Sequence, residues 1–267
     1  MSAITVAKQT EGVEVDAIRN ADYGAAGRAL TSVSTRSDAC TGAATGPVTR
    51  ARPGVYVRRA TSDWGRGMHV RVVTFTGAKD IDAGVKFLEE TVKPAMSSQK
   101  GYRGFTASAD REGGVFAVLS LWDTAEDRDA SEAALASSRQ EAIGVIGGEM
   151  KVETFEQLVA EVGDPPPDPG SALMVTRISM DPGKIDENLA FFKSDVAPRM
   201  RASPGFRGMR NMMDRSTGEG IVGTVWSDGD ARKRAADEAL SRRSEGMARG
   251  VTFGEVSFRE ILTVDLR

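Results

Sequence analysis

From residue 68 onward two patterns alternate along the chain. Short runs rich in Val, Ile and Phe switch between apolar and polar positions, as half-buried strands do, and longer polar stretches carry apolar residues at helical spacing. The first set predicts a strand over 68–76, a helix over 80–96, a hairpin of strands over 102–109 and 115–122, a helix over 124–143 and a strand over 150–158. The turn Asp110-Arg111-Glu112-Gly113-Gly114 joins the hairpin, and Thr124, with Asp127 three residues on, marks the second helix start.

The second set repeats this order, with strands over 173–180, 206–213, 221–226 and 251–264 and helices over 184–200 and 230–247. Residues 78–158 lie over 182–262 without a gap. Ile81 and Asp82 recur as Ile185 and Asp186, Pro94 as Pro198, Gly101, Arg103 and Gly104 as Gly205, Arg207 and Gly208, and Trp122 as Trp226. About twenty such identities accumulate where chance gives about five, the mark of a duplicated unit. Pro94 and Pro198 fall late in the first helix of each copy and predict a kink or helix end leading into the Gly-x-Arg-Gly strand.

This gives an α+β chain of two tandem ferredoxin-like βαββαβ units, over 68–163 and 171–267, joined by the Pro-rich linker 164–170. That linker holds four of the ten prolines and continues neither a helix nor a central strand. Residues 1–67 have no counterpart in the repeat and are rich in Ser, Thr, Ala, Gly and Arg; they read as a low-complexity, poorly ordered extension. Met68 stands at the first strand and is an alternative start of translation; the competing reading is a flexible arm with Val55, Tyr56 and Trp64 as docking residues.

Composition narrows the partners. Lys and Arg total 35 against 38 Asp and Glu, so a net charge of -3 offers no general attraction to nucleic acid or anionic lipid. The longest apolar runs, such as Val115–Trp122, have strand length, well below the roughly 20 residues of a spanning helix. Without a secretory pattern at the N-terminus, and with Cys40 as the one cysteine, the chain is expected in the cytoplasm. His69 is the only histidine, so no His-based triad and no His/Cys metal cluster is expected, and neither a Gly-x-Gly-x-x-Gly nor a phosphate-loop motif supports nucleotide chemistry.

The layout Pro94-x-Met96, Gly101-Tyr102-Arg103-Gly104 and Val118-Leu119-Ser120-Leu121-Trp122-Asp123 resembles the antibiotic biosynthesis monooxygenase-like family of the dimeric α+β-barrel superfamily. The second copy shows it again in Asp181-Pro182-Gly183-Lys184, Pro204-Gly205-Phe206 and Val225-Trp226-Ser227-Asp228. The resemblance implies a barrel made from two paired sheets, here within one chain as an internal pseudo-dimer, with further self-association left open. It also implies cofactor-independent oxidation of a small apolar or aromatic molecule. Haem degradation by the Asn, Trp and His of a related group is not expected, since the helices after both tryptophans lack histidine.

No catalytic residue stands out. The expected substrate-binding residues are Trp122 and Trp226, which end a strand where a flat ring can line a cavity or fill the core, and Arg103 and Arg207, which share a strand face with Phe105 and Met209. A guanidinium on a covered face needs a carboxylate or a ligand anion, and Asp82, Asp186, Asp110, Asp214, Glu156 and Glu260 are available; an ion pair is the favoured reading. Tyr102 with Arg103 suits a phenolic or enolic substrate, the arginine holding the anion that reacts with oxygen, and Phe206 in place of Tyr102 confines this to one half. Met209 and its neighbouring methionines suit an adaptable apolar pocket or ordinary packing. The alternative to an enzyme is a non-catalytic ligand-binding or assembly protein on the same barrel.

Overall fold

The computed structural model describes residues 67–266. The expectations for the N-terminal extension, including Val55, Tyr56 and Trp64, lie outside the described residues. The first half runs β1 (Met68–Thr76), α1 (Ile81–Phe87), α2 (Lys93–Ser97), β2 (Tyr102–Asp110), β3 (Val115–Trp122), α3 (Ala125–Ile146) and β4 (Glu149–Val162). The second half repeats it as β5 (Ala172–Ser179), α4 (Ile185–Phe191), α5 (Ala197–Ala202), β6 (Phe206–Met213), β7 (Glu219–Trp226), α6 (Gly229–Ser241), α7 (Arg243–Met247) and β8 (Thr252–Leu266).

Local chemistry sets the helix starts. The Asp80 carboxylate accepts from Ala83 N at 2.9 Å, Thr124 Oγ1 from Asp127 N at 3.0 Å and Asp228 from Ala231 N at 2.8 Å, each satisfying an amide left over by the first turn. The kink expected at the prolines takes the form of one π-helical turn. Leu88–Val92 separates α1 from α2, and Phe192–Val196 separates α4 from α5, so that Pro94 and Pro198 stand in the first turn of a new α segment where a missing N–H costs little.

The eight strands close into one antiparallel barrel in the order β1-β3-β2-β8-β5-β7-β6-β4. Each half contributes four consecutive strands, and two seams join the halves. β4 pairs with β1 over residues 149–157 and with β6 over 156–162; β8 pairs with β5 over 252–260 and with β2 over 260–266. β4 runs past its expected end at residue 158 to meet β6, β8 runs two residues past its expected end at 264 along β2, and the closed order leaves no sheet edge unpaired.

Alternation divides the side chains into layers. Val70, Val72, Leu121, Phe155, Met212 and Ile221, from both halves, fill the barrel interior. On the outer face, Phe75, Leu88, Phe105, Phe116, Trp122 and Ile146 pack beneath the first-half helices, and Phe192, Phe206, Met209 and Trp226 beneath those of the second. Two matched surface clusters tie the halves together. Arg111 reaches Asp82 at 2.9 Å and Glu260 at 2.8 Å, and Arg215 reaches Asp186 at 3.0 Å and Glu156 at 2.8 Å. Four of the carboxylates expected as partners of Arg103 and Arg207 thus serve the hairpin-turn arginines instead.

Arg177 on β5 and Glu153 on β4 form a two-pronged ion pair at 2.9 and 2.8 Å. The hydrogen bond from Arg177 holds the Glu153 carboxyl below its usual value, against the opposing effect of burial. A carboxyl with a lowered folded pKa stabilises the fold above its unfolded pKa of about 4.3 and loses that contribution as pH falls through the folded value. Melting curves from neutral pH down through this range should fall less steeply for Glu153→Gln than for the parent. Parallel curves would show that the pair adds nothing to acid stability.

Candidate functional site

Trp122 and Trp226 lie inside the outer core, 0% and 1% exposed. Their indole N–H groups donate to Ser120 Oγ and Thr224 Oγ1, both at 3.0 Å. Tyr102 meets Trp122 edge to face at a ring separation of 5.6 Å, and Phe206 meets Trp226 in the same way at 5.8 Å. Met209 is buried in the second-half core beside Trp226. The two aromatic pairs form matched packing units, one in each half.

The strand face expected to hold Arg103 does not hold it. Tyr102 and Gly104 pair with consecutive residues Trp122 and Leu121, so Arg103 is the extra residue of a β-bulge and leaves the alternation that would set it beside Phe105. It forms an ion pair on the surface with Asp123, at 2.5 and 2.6 Å, a partner outside the expected set. Arg207 occupies the equivalent bulge, donates to Pro166 O at 3.3 Å and lies 3.9 Å from Asp168. It fastens the proline-rich segment.

The structure points instead to a cavity of ≈ 60 Å³ in the first half, between the outer face of β1 and β3 and the helices α1 and α3. Phe75, Leu88, Phe116, Leu135 and Ile146 give it an apolar wall. Leu88 and Val92, the ends of the π turn, both contribute, so the widened turn sits at the cavity. The polar lining comes from Arg71, Ser120, Ser138 and Arg139.

Arg71 is the central polar residue and is 3% exposed. Period-two alternation in β1 sets it on the same face as Val73 and Phe75, beneath α3. Its Nη1 donates to Ser131 Oγ at 2.8 Å, its Nη2 donates to Arg128 O at 2.6 Å, and Nη2 lies 3.1 Å from Glu132 Oε2. The guanidinium carbon stands 5.9 Å from the Trp122 ring centre, within cation–π range. The Nε–H has no acceptor among the described residues. Burial pushes the Arg71 pKa down and Glu132 pulls it back up; an arginine so placed stays charged.

The sequence contained a signal for Arg71, a cation within an alternating apolar strand. It gave no indication of which strand face the helices cover. The second half does not repeat the residue. Arg71 pairs across the strands with Ser120, and the residue that pairs with the equivalent Thr224 is Met174. Arg71 therefore has no matching arginine in the second half.

Among the described residues no Asp, Glu or His lines the cavity, and no group of three or more His, Cys, Asp or Glu stands together as metal ligands do. No helix among them is long and apolar enough to cross a membrane.

No family model matches the chain. Solved structures do match in shape. A proposed monooxygenase of Fusobacterium nucleatum superposes with a TM-score of 0.56 at 13% identity, over 76% of this chain and 96% of that one. An anthrone oxidase-like protein follows with a TM-score of 0.53 at 16% identity, over 74% and 93%. The fold is that of the antibiotic biosynthesis monooxygenase-like dimeric α+β barrel. In this chain both halves of the dimeric barrel are covalently joined. Relatives by sequence include two uncharacterised proteins of Mycobacterium tuberculosis. One is 28% identical over 189 residues, 70% of this chain and 84% of its own length; the other is 27% identical over 207 residues, 76% and 82%.

Proposed function

We propose that this chain is a cofactor-independent monooxygenase-like protein whose first-half cavity takes a small apolar or aromatic molecule. The observation that carries the reading is the buried, unmatched Nε–H of Arg71, a residue that lines the largely apolar cavity. A buried donor without an acceptor costs about 1–3 kcal/mol, and a substrate oxygen placed there recovers it. The same N–H strengthens its hold as that oxygen becomes an enolate or phenolate, which is the requirement for transition-state stabilisation. The neighbouring carbon then reacts with dioxygen. In the net change a CH₂ becomes a carbonyl and the second oxygen atom leaves as water with the two hydrogens.

With no carboxylate or imidazole in the cavity lining, the substrate must carry an acidic C–H or O–H of its own. The names of the similar folds, a proposed monooxygenase and an anthrone oxidase-like protein, agree with this chemistry. The cavity is smaller than the roughly 150 Å³ that holds a benzene. An aromatic ring therefore enters only if the wall gives way.

The test is oxygen consumption by the purified chain with a panel of phenols and quinols. Arg71→Met is the informative variant, because Met174 already fills the matching place in the second half. Uptake should fall roughly hundredfold, as when one oxyanion donor is removed. A panel without uptake, or uptake that survives Arg71→Met unchanged, would sink the proposal; ligand-induced thermal stabilisation without uptake would leave a binding protein.

A further inference from the structure

The charges around the cavity are unequal. Three guanidiniums, Arg71, Arg128 and Arg139, meet two carboxylates, Glu132 and Asp129. Arg128 and Asp129 form a closed pair, Nε and Nη2 of the arginine each facing one carboxylate oxygen at 2.8 and 3.1 Å. Glu132 is shared: its Oε2 faces Arg71 and its Oε1 accepts from Arg139. One carboxylate thus serves two cations, both of which line the cavity. It is also the most solvated member of that trio, with a side chain 55% exposed against 3% for Arg71 and 12% for Arg139. The Nη2 of Arg71 is committed to Arg128 O and Glu132 and its Nη1 to Ser131, so Nε is the guanidinium nitrogen left without an acceptor.

Resting on the cavity as the ligand site, we propose that its ligand is a monoanion, a carboxylate or a stable enolate or phenolate, with one oxygen on Arg71 Nε–H and its apolar body against Leu88, Phe116 and Ile146. Such a ligand supplies the missing negative charge. A neutral molecule of the same shape fills the apolar wall but leaves two guanidiniums sharing one carboxylate, and buried charge is costly unless paired. Glu132 then acts as a resident competitor, and weakening it should improve the site.

The experiment measures binding of propionate against propionamide and of benzoate against benzamide, by calorimetry and thermal shift, to the full chain and to Glu132→Gln and Arg71→Met. Each acid should bind at least roughly tenfold more tightly than its amide, and Arg71→Met should abolish that preference. Glu132→Gln, a substitution at an exposed carboxylate, should tighten the acids roughly threefold or more and leave the amides unchanged. A positioning role for Glu132 alone would weaken both ligand types together. Amides that bind as well as the acids, or acids that bind more weakly to Glu132→Gln, would overturn the proposal.

The outcomes separate this inference from the oxygenase reading. Neutral ligands bound and oxidised while acids are ignored would remove the monoanion and keep the chemistry. Acids bound as described, without oxygen uptake by any phenol or quinol, would keep the anion site and remove the oxidation.

Discussion

Replacing Trp122 by alanine should destabilise the chain by about 3–5 kcal/mol, the range for removing a large buried aromatic. The ring is fully buried, meets Tyr102 edge to face, satisfies its N–H on Ser120 and lies under the Arg71 guanidinium. Truncation would remove all of these contacts and leave the buried cation beside a void. Trp226→Ala should cost less within the same range, because its counterpart to Arg71 is the neutral Met174, which repacks more readily. Trp122→Phe keeps most of the ring and loses the N–H bond, at about 1–2 kcal/mol. Urea denaturation midpoints read all three. A loss under about 1 kcal/mol for Trp122→Ala would mean that the ring is a replaceable wall of an open pocket, contrary to its packing.

Gly104→Ala should be the other severe change. Gly104 lies at the β2–β8 seam with φ of +131°, a conformation that L side chains rarely adopt, and an added Cβ would lie 2.2 Å from the carbonyl oxygen of Asp265. That oxygen belongs to the backbone of the other half's last strand, so relief requires the seam to part. The expected cost is about 3 kcal/mol or more, combining backbone strain with lost ladder hydrogen bonds. The freed edges of β2 and β8 would then be open to other chains. Size-exclusion chromatography should show association, and limited proteolysis should cut near β8. Gly223→Ala is the control: its added Cβ would meet nothing nearer than Leu173 Cδ1 at 3.8 Å. Equal behaviour of the two variants would show that the seam does not depend on the close approach at Gly104.

The element order, the hairpin turn, the Thr124 cap and the pairing of two like halves were all legible in the sequence, because each depends on local periodicity or on self-comparison. What escaped depends on long-range register. The last residues of β4, 159–162, lie beyond the shift between Gln157 and Val159 in its pairing with β6, past the point where its pairing with β1 ends. Arg103 was assigned to a strand face on simple alternation, and one bulged residue turned it out to Asp123. The tryptophans were ambiguous for another reason: a cavity wall and a packed core ask for the same large ring, and only the depth of burial separates them. Arg71 lay in plain view within β1, yet its importance came from α3, which covers it with Ser131 and Glu132 from more than fifty residues away along the chain.

The substitution of Met174 for Arg71 has a consequence for how such a barrel can change. In an assembly of two identical chains, any replacement appears on both sides at once, so a buried cation installed in one pocket must be tolerated in the other. Joining the halves removes that constraint. One half is free to keep an arginine, with the serine and glutamate that it requires, and the other to hold a thioether that requires neither, while β4 and β8 continue to lock both into one wall. A single genetic change here is a single structural change, and the two halves can be tuned separately.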